Sequence, residues 1–175
     1  MRRVWIGTAA MALICSAAWA GKDAGQAPAA AGSPEFERIK SLAGRWQGVM
    51  KNGDGKEETV AVEYKVTSGG TAVVETLTPG TPHEMVSVYH DRAGRLNMTH
   101  YCMVGNQPEM VLKSSDAQTI SLESTVSTQA ELQGDMYMNA LTLRQSDKGH
   151  LTQEWHSLGP DGKPLGSSVL TLKKV

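Results

Sequence analysis

Apolar and polar positions alternate along most of this chain, and the exceptions lie near its N-terminus. Val60, Val62, Tyr64 and Val66 fall on one side of an extended segment, with Thr59, Glu63 and Lys65 on the other, the period-2 pattern of a half-buried β-strand. Before this regime comes a short helix-like run, Phe36-Glu37-Arg38-Ile39-Lys40-Ser41-Leu42, which stops at Gly44-Arg45-Trp46. From there to Val175, turn signals recur at strand-length intervals, including Asn52-Gly53-Asp54-Gly55, Ser68-Gly69-Gly70, Asp91-Arg92-Ala93-Gly94, Asp147-Lys148-Gly149 and Pro160-Asp161-Gly162. No interval is long enough for a crossover helix, so parallel pairing is disfavoured. The pattern predicts an all-β domain, an antiparallel up-and-down β-barrel of about 8–10 strands behind a short N-terminal helix. Ser124 to Gln133 shows neither period and reads as a loop.

The first residues carry a different signal. Arg2 and Arg3 precede an apolar run from Val4 to Cys15, too short to span a bilayer, and Ala18-Trp19-Ala20 fits a small-residue cleavage site. Residues 1–20 are expected to be a signal peptide, with the mature chain starting at Gly21 in the periplasm or outside the cell and carrying no transmembrane segment. Residues 21–34, rich in Ala, Gly and Pro, read as a flexible linker, which leaves 35–175 as one barrel domain.

Cleavage changes charge and cysteine chemistry. Losing two arginines takes Lys plus Arg from 17 to 15 against 18 acidic residues, a net charge of −3. There is no basic stripe for a nucleic acid, so none is expected as a partner. Cys15 leaves with the leader, and Cys102 alone cannot form an intramolecular disulfide.

Two segments carry a resemblance. The short helix followed by Gly44-x-Trp46 resembles the opening of the lipocalins and wider calycins. The run Gly80-Thr-Pro-His-Glu-Met-Val-Ser-Val-Tyr-His90, with Thr99-His-Tyr-Cys-Met-Val-Gly-Asn-Gln-Pro-Glu-Met110, is similar to a group of exported bacterial proteins of uncharacterised function. The lipocalin resemblance implies structural roles for Gly44 and Trp46, with the indole packed across the closed barrel end against Lys173 or Lys174.

The second run can also be read from its own spacing. If Asp91 to Arg95 is a five-residue connection, His90 faces Leu96, Val88 faces Met98 and Val86 faces His100. This pairing gathers Val86, Val88, His90, Met98, His100 and Cys102 on one apolar face, expected to line the barrel and any pocket. Ser87, Tyr89, Asn97, Thr99 and Tyr101 then lie on the other face, whose tyrosines make it a competitor for the interior.

Barrels of this width hold small ligands in their mouths. The leading expectation is therefore non-catalytic binding of a small, mainly apolar molecule, with no cofactor. Imidazoles and a thiol on one face also ligate haem or transition metals, so an alternative is a haem- or metal-binding barrel using His90, His100 and Cys102. A third reading is a structural, envelope-interaction protein with a fully packed interior. No G-x-S-x-G elbow, phosphate-cradling glycine loop or paired acidic motif is present. Glu154 and His156 share a face opposite Leu151 and Trp155 and read as solvated. Six methionines between Met85 and Met138 suit either core filling or an adaptable apolar pocket.

Overall fold

The computed structural model describes residues 32–175; the expected signal peptide and most of the linker lie outside the described residues. An N-terminal helix, α1 (Pro34–Ser41), precedes ten strands: β1 (Gly44–Lys51), β2 (Glu57–Thr67), β3 (Ala72–Leu77), β4 (Met85–Arg92), β5 (Arg95–Tyr101), β6 (Glu109–Ser115), β7 (Thr119–Ser124), β8 (Tyr137–Asp147), β9 (His150–Leu158) and β10 (Pro164–Lys174). Each strand pairs antiparallel with its sequence neighbour, and β1 pairs with β10 to close the barrel. The stretch read as a loop after Ser124 contains a second helix, α2 (Val126–Glu131). Its start is fixed locally, since the Thr125 side chain caps the Thr128 amide and Thr128 Oγ1 donates to the Glu109 carbonyl at 3.2 Å. A helix of six residues is too short for periodicity to announce it.

Local chemistry also explains α1. Ser33 accepts a hydrogen bond from the Phe36 amide, Pro34 opens the first turn, Glu35 and Glu37 sit at the positive end, and Arg38 and Lys40 occupy the last turn. The folded unit therefore reaches back to Ser33, whose hydroxyl donates to Asp91 Oδ1 on β4 at 2.8 Å. The inner face of α1 puts Phe36, Ile39 and Leu42 over one end of the barrel, where Trp46 fills the taper with 0 % exposure. The indole Nε1 donates to the Leu42 carbonyl at 2.8 Å, and Lys174 Nζ lies 5.3 Å above the ring centroid. Two positions along β1, Gly48 gives β10 its close approach: a β-carbon there would lie 1.9 Å from the Thr171 carbonyl oxygen.

This end is closed, and α2 lies at the other. Among the described residues no helix is long and apolar enough to cross a membrane.

Candidate functional site

The β4–β5 hairpin departs from the pairing expected of its sequence. Arg92 pairs with Arg95, so only Ala93 and Gly94 form the connection, both at positive φ (53° and 74°). Such a two-residue turn matches strand twist better than a longer open loop. The shift of one residue pairs Ser87 with His100 and Tyr89 with Met98. In β4, Ser87 and Tyr89 are buried. Val86, Val88 and His90 lie on the opposite, outward face, not in the barrel interior as their apolar pattern implied. Met98 and His100 point inward, and Cys102 is buried just beyond the end of β5. His90 thus sits on the other side of the sheet from His100, and the three-ligand set of His90, His100 and Cys102 does not assemble. Among the described residues no three His, Cys, Asp or Glu side chains gather as a metal site.

The corrected pairing builds a polar belt. Tyr64 on β2 pairs with Glu75 on β3, Glu75 with Ser87 on β4, and Ser87 with His100 on β5, so four inward side chains stand shoulder to shoulder around one level of the barrel. All four are buried, Glu75 and Ser87 with 0 % exposure. Tyr64 and Tyr89 hydroxyls donate to the two oxygens of Glu75, each at 2.7 Å. From across the barrel, Gln153 Nε2 on β9 donates to Glu75 Oε1 at 2.5 Å, and Gln153 Oε1 accepts from Trp155 Nε1 at 3.0 Å. Burial pushes the Glu75 carboxyl above its ordinary value; the Tyr89, Tyr64, Gln153 and Ser87 donors oppose that shift by favouring the ionised form. Burial, followed by the neighbouring Glu75 charge, drives the Tyr64 and Tyr89 hydroxyls well above theirs.

His100 ends the belt. Its Nδ1 lies 3.0 Å from Ser87 Oγ, its ring packs 4.7 Å from the Trp155 ring, and Nε2 is buried with no hydrogen-bond partner. Burial lowers the imidazole pKa to about 4, so the ring is neutral at physiological pH. The arrangement holds a carboxyl, a hydroxyl and an imidazole, but in the wrong order for nucleophilic catalysis. The hydroxyl stands between the other two and is fully buried, whereas a serine nucleophile needs the imidazole in the middle and a free face toward substrate.

Above the belt, at the end away from α1, lies a cavity of about 190 Å³. Met50, Leu77, Met85, Met138, Trp155 and Leu170 supply apolar wall, and Asn52, Ser168 and His100 supply polar groups. Asn52 and Ser168 are bonded to each other, Ser168 Oγ donating to Asn52 Oδ1 at 3.2 Å. Of the methionines noted in the sequence, Met98 and Met110 are core, Met85 and Met138 line this cavity, and Met103 is exposed. Glu154 and His156 lie on the outer face of β9, 3.4 Å apart.

Ser87 and Tyr89 belong to the competing face of the sequence reading and prove to be interior, whereas Glu75 and Gln153 were missed, although both left a mark. Val73-x-Glu75-x-Leu77 and Leu151-x-Gln153-x-Trp155 each set one polar residue in an apolar alternation, which is how a buried polar group shows itself in a strand.

No protein-family model matches the chain, and no curated protein sequence matches it. Among solved structures it is similar to a protein of unknown function from the DUF3598 family of Nostoc punctiforme PCC 73102, with a TM-score of 0.53 and 12% identity, covering 78% of this chain and 49% of that one. The chain thus spans about half the length of that protein. It is also similar to EF1p2_mFAP2b bound to DFHBI (TM-score 0.40, 13% identity, covering 80% of this chain and 98% of that one) and to a redesigned β-barrel (0.34, 14%, 78% and 93%). The likeness to the Nostoc protein is one of fold: a barrel of antiparallel strands, closed here by ten.

Proposed function

We propose that this chain is an exported, lipocalin-like β-barrel that binds a small, mainly apolar molecule in its open-end cavity, without catalysis. The cavity above the polar belt carries this reading. An engineered apolar cavity of about 150 Å³ takes up benzene. One of about 190 Å³, walled by methionine, leucine and tryptophan, has room for a single ring with a short substituent. A porphyrin is several times larger than this space. Methionine walls adapt to ligand shape at little cost, because the side chain is unbranched and polarizable. Export rests on Arg2-Arg3, the short apolar run after them and Ala18-Trp19-Ala20. The Gly44-x-Trp46 opening, with its indole under Lys174 at the closed end, supports the lipocalin-like reading.

The test uses ¹³C-methyl-methionine labelling of the mature chain, titrated with toluene. Met50, Met85 and Met138 resonances should shift together and saturate, while exposed Met103 stays in place. Methyl resonances unmoved by toluene, or all moved alike, would remove the binding reading. N-terminal sequencing of protein from the periplasmic fraction should begin at Gly21.

A further inference from the structure

One pair of side chains supplies the polar groups that the cavity can offer a ligand. No Asp, Glu, Lys or Arg lines it. The Trp155 indole N–H is taken by Gln153, while His100 has Nδ1 engaged by Ser87 and Nε2 shut off from access, so neither ring offers a free polar atom. Asn52 and Ser168 remain.

Backbone pairing fixes where these two stand. The β1–β10 ladder ends with Lys51 opposite Val169, which brings Asn52 opposite Ser168 as β1 turns toward β2. In that turn the Asn52 amide donates to the Lys56 carbonyl at 2.9 Å, and the Asn52 carbonyl accepts from the Gly55 amide at 2.8 Å. The side chains meet at 3.2 Å, Ser168 Oγ to Asn52 Oδ1, and both residues are half-buried. Their bond uses one function from each side chain and leaves one on each. With the hydroxyl donating, the Asn52 N–H₂ and a lone pair of Ser168 Oγ stay free; with the amide turned over and donating to the hydroxyl, the Asn52 oxygen and the Ser168 proton stay free. Either way the pair sets a donor beside an acceptor at the rim of an otherwise apolar space.

We infer that the cavity selects a neutral, single-ring molecule bearing a carboxamide, whose carbonyl accepts from the free donor of the Asn52–Ser168 pair and whose N–H donates to the free acceptor, with the ring among Met50, Met85, Met138 and Trp155. This rests on the proposal that the cavity binds a small apolar molecule, and adds the polar group that molecule carries. The free donor and acceptor belong to two neighbouring side chains, and a carboxamide presents the complementary two on neighbouring atoms. A charged ligand finds no counter-ion in the lining. A ligand with an acceptor alone strips water from both members of the pair and repays only one.

Cumene, acetophenone and benzamide share one shape and carry, on the carbon next to the ring, two methyls, an oxygen and a methyl, and an oxygen and an NH₂. Their affinities, read from the methionine methyl resonances, are compared between wild type and a double variant, Asn52→Ala with Ser168→Ala. Cumene should bind both proteins and so reports an intact cavity. Relative to cumene, benzamide should weaken in the variant about twentyfold, the effect of two neutral hydrogen bonds, and acetophenone about fivefold, the effect of one. A benzamide loss no larger than the acetophenone loss would overturn the carboxamide assignment. Losses absent for both would overturn the role of the pair, and in either case cumene binding leaves the apolar-cavity reading standing; a wild type that binds none of the three would overturn both. The ¹⁵N resonance of the Asn52 side-chain amide in wild type needs no variant. It should move further on saturation with benzamide than with cumene, and equal movement would overturn the inference.

Discussion

Acid should weaken this fold through His100. Burial holds the folded-state imidazole at a pKa of about 4, against 6.5 for the exposed side chain of the unfolded chain. Between those values the unfolded chain binds more protons than the barrel does, so stability falls as pH drops through the window. The separation of about 2.5 units corresponds to about 3 kcal/mol in total, of which about 2 kcal/mol is lost by pH 5 and most of the rest by pH 4. Glu75 acts with the opposite sign. Its raised carboxyl takes up a proton in the folded barrel first, a contribution present below its ordinary value of 4.5 and lost as pH rises through the folded-state value. The comparison must therefore be between proteins at each pH. Urea unfolding followed by Trp46 and Trp155 fluorescence, from pH 7.5 to 4 in wild type and His100→Leu, isolates the histidine. The variant should gain about 3 kcal/mol relative to wild type across that range. Parallel stability curves would refute the argument, meaning that His100 is hydrated in the folded state or that its proton is held by a partner.

Replacing Trp46 with Ala should cost about 3 to 5 kcal/mol, the range for emptying a buried aromatic site, read as a lower denaturation midpoint. Gly48→Ala should cost about 1 to 3 kcal/mol, because the new methyl meets the Thr171 carbonyl and must push β1 from β10; a melt at the wild-type temperature would contradict the close approach. Ser33→Ala removes both the helix cap and the hydroxyl bond to Asp91, and should cost about 1 to 2 kcal/mol, with faster amide exchange confined to α1.

The sequence made the strands legible and misled on one hairpin. Turn residues at strand-length spacing, with no room for crossovers, lead directly to an antiparallel meander, and Gly44-x-Trp46 marks its plugged end. The β4–β5 pairing was hidden for two reasons. Ala93 is a poor residue for positive φ, so Asp91-Arg92-Ala93-Gly94-Arg95 does not announce a two-residue turn. Val86 and Val88 are also more apolar than the Ser87 and Tyr89 that displace them from the interior. Binary patterning assumes the inside is apolar, and at this level of the barrel it is not, because Ser87 and Tyr89 face Glu75. One error of one residue therefore moved Val86, Val88 and His90 out together and left only Met98, His100 and Cys102 on the buried side.

The belt and the cavity are best understood as one device. Glu75 is buried, and among the described residues no basic side chain bonds it; its carboxyl is held by hydroxyl and amide donors alone. Apolar side chains of similar volume would pack this level at no desolvation cost, so the belt is a poor way to gain stability. It does fix positions. Gln153 ties Glu75 to the indole of Trp155, and Ser87, the strand neighbour of Glu75, bonds the imidazole that packs against that same indole. Below the belt, Trp46 and the α1 side chains complete the core; above it, Trp155 and His100 cannot swing to fill the open end without breaking their bonds to buried Gln153 and Ser87. A network that holds two large rings back from collapsing inward keeps a cavity of about 190 Å³ in place.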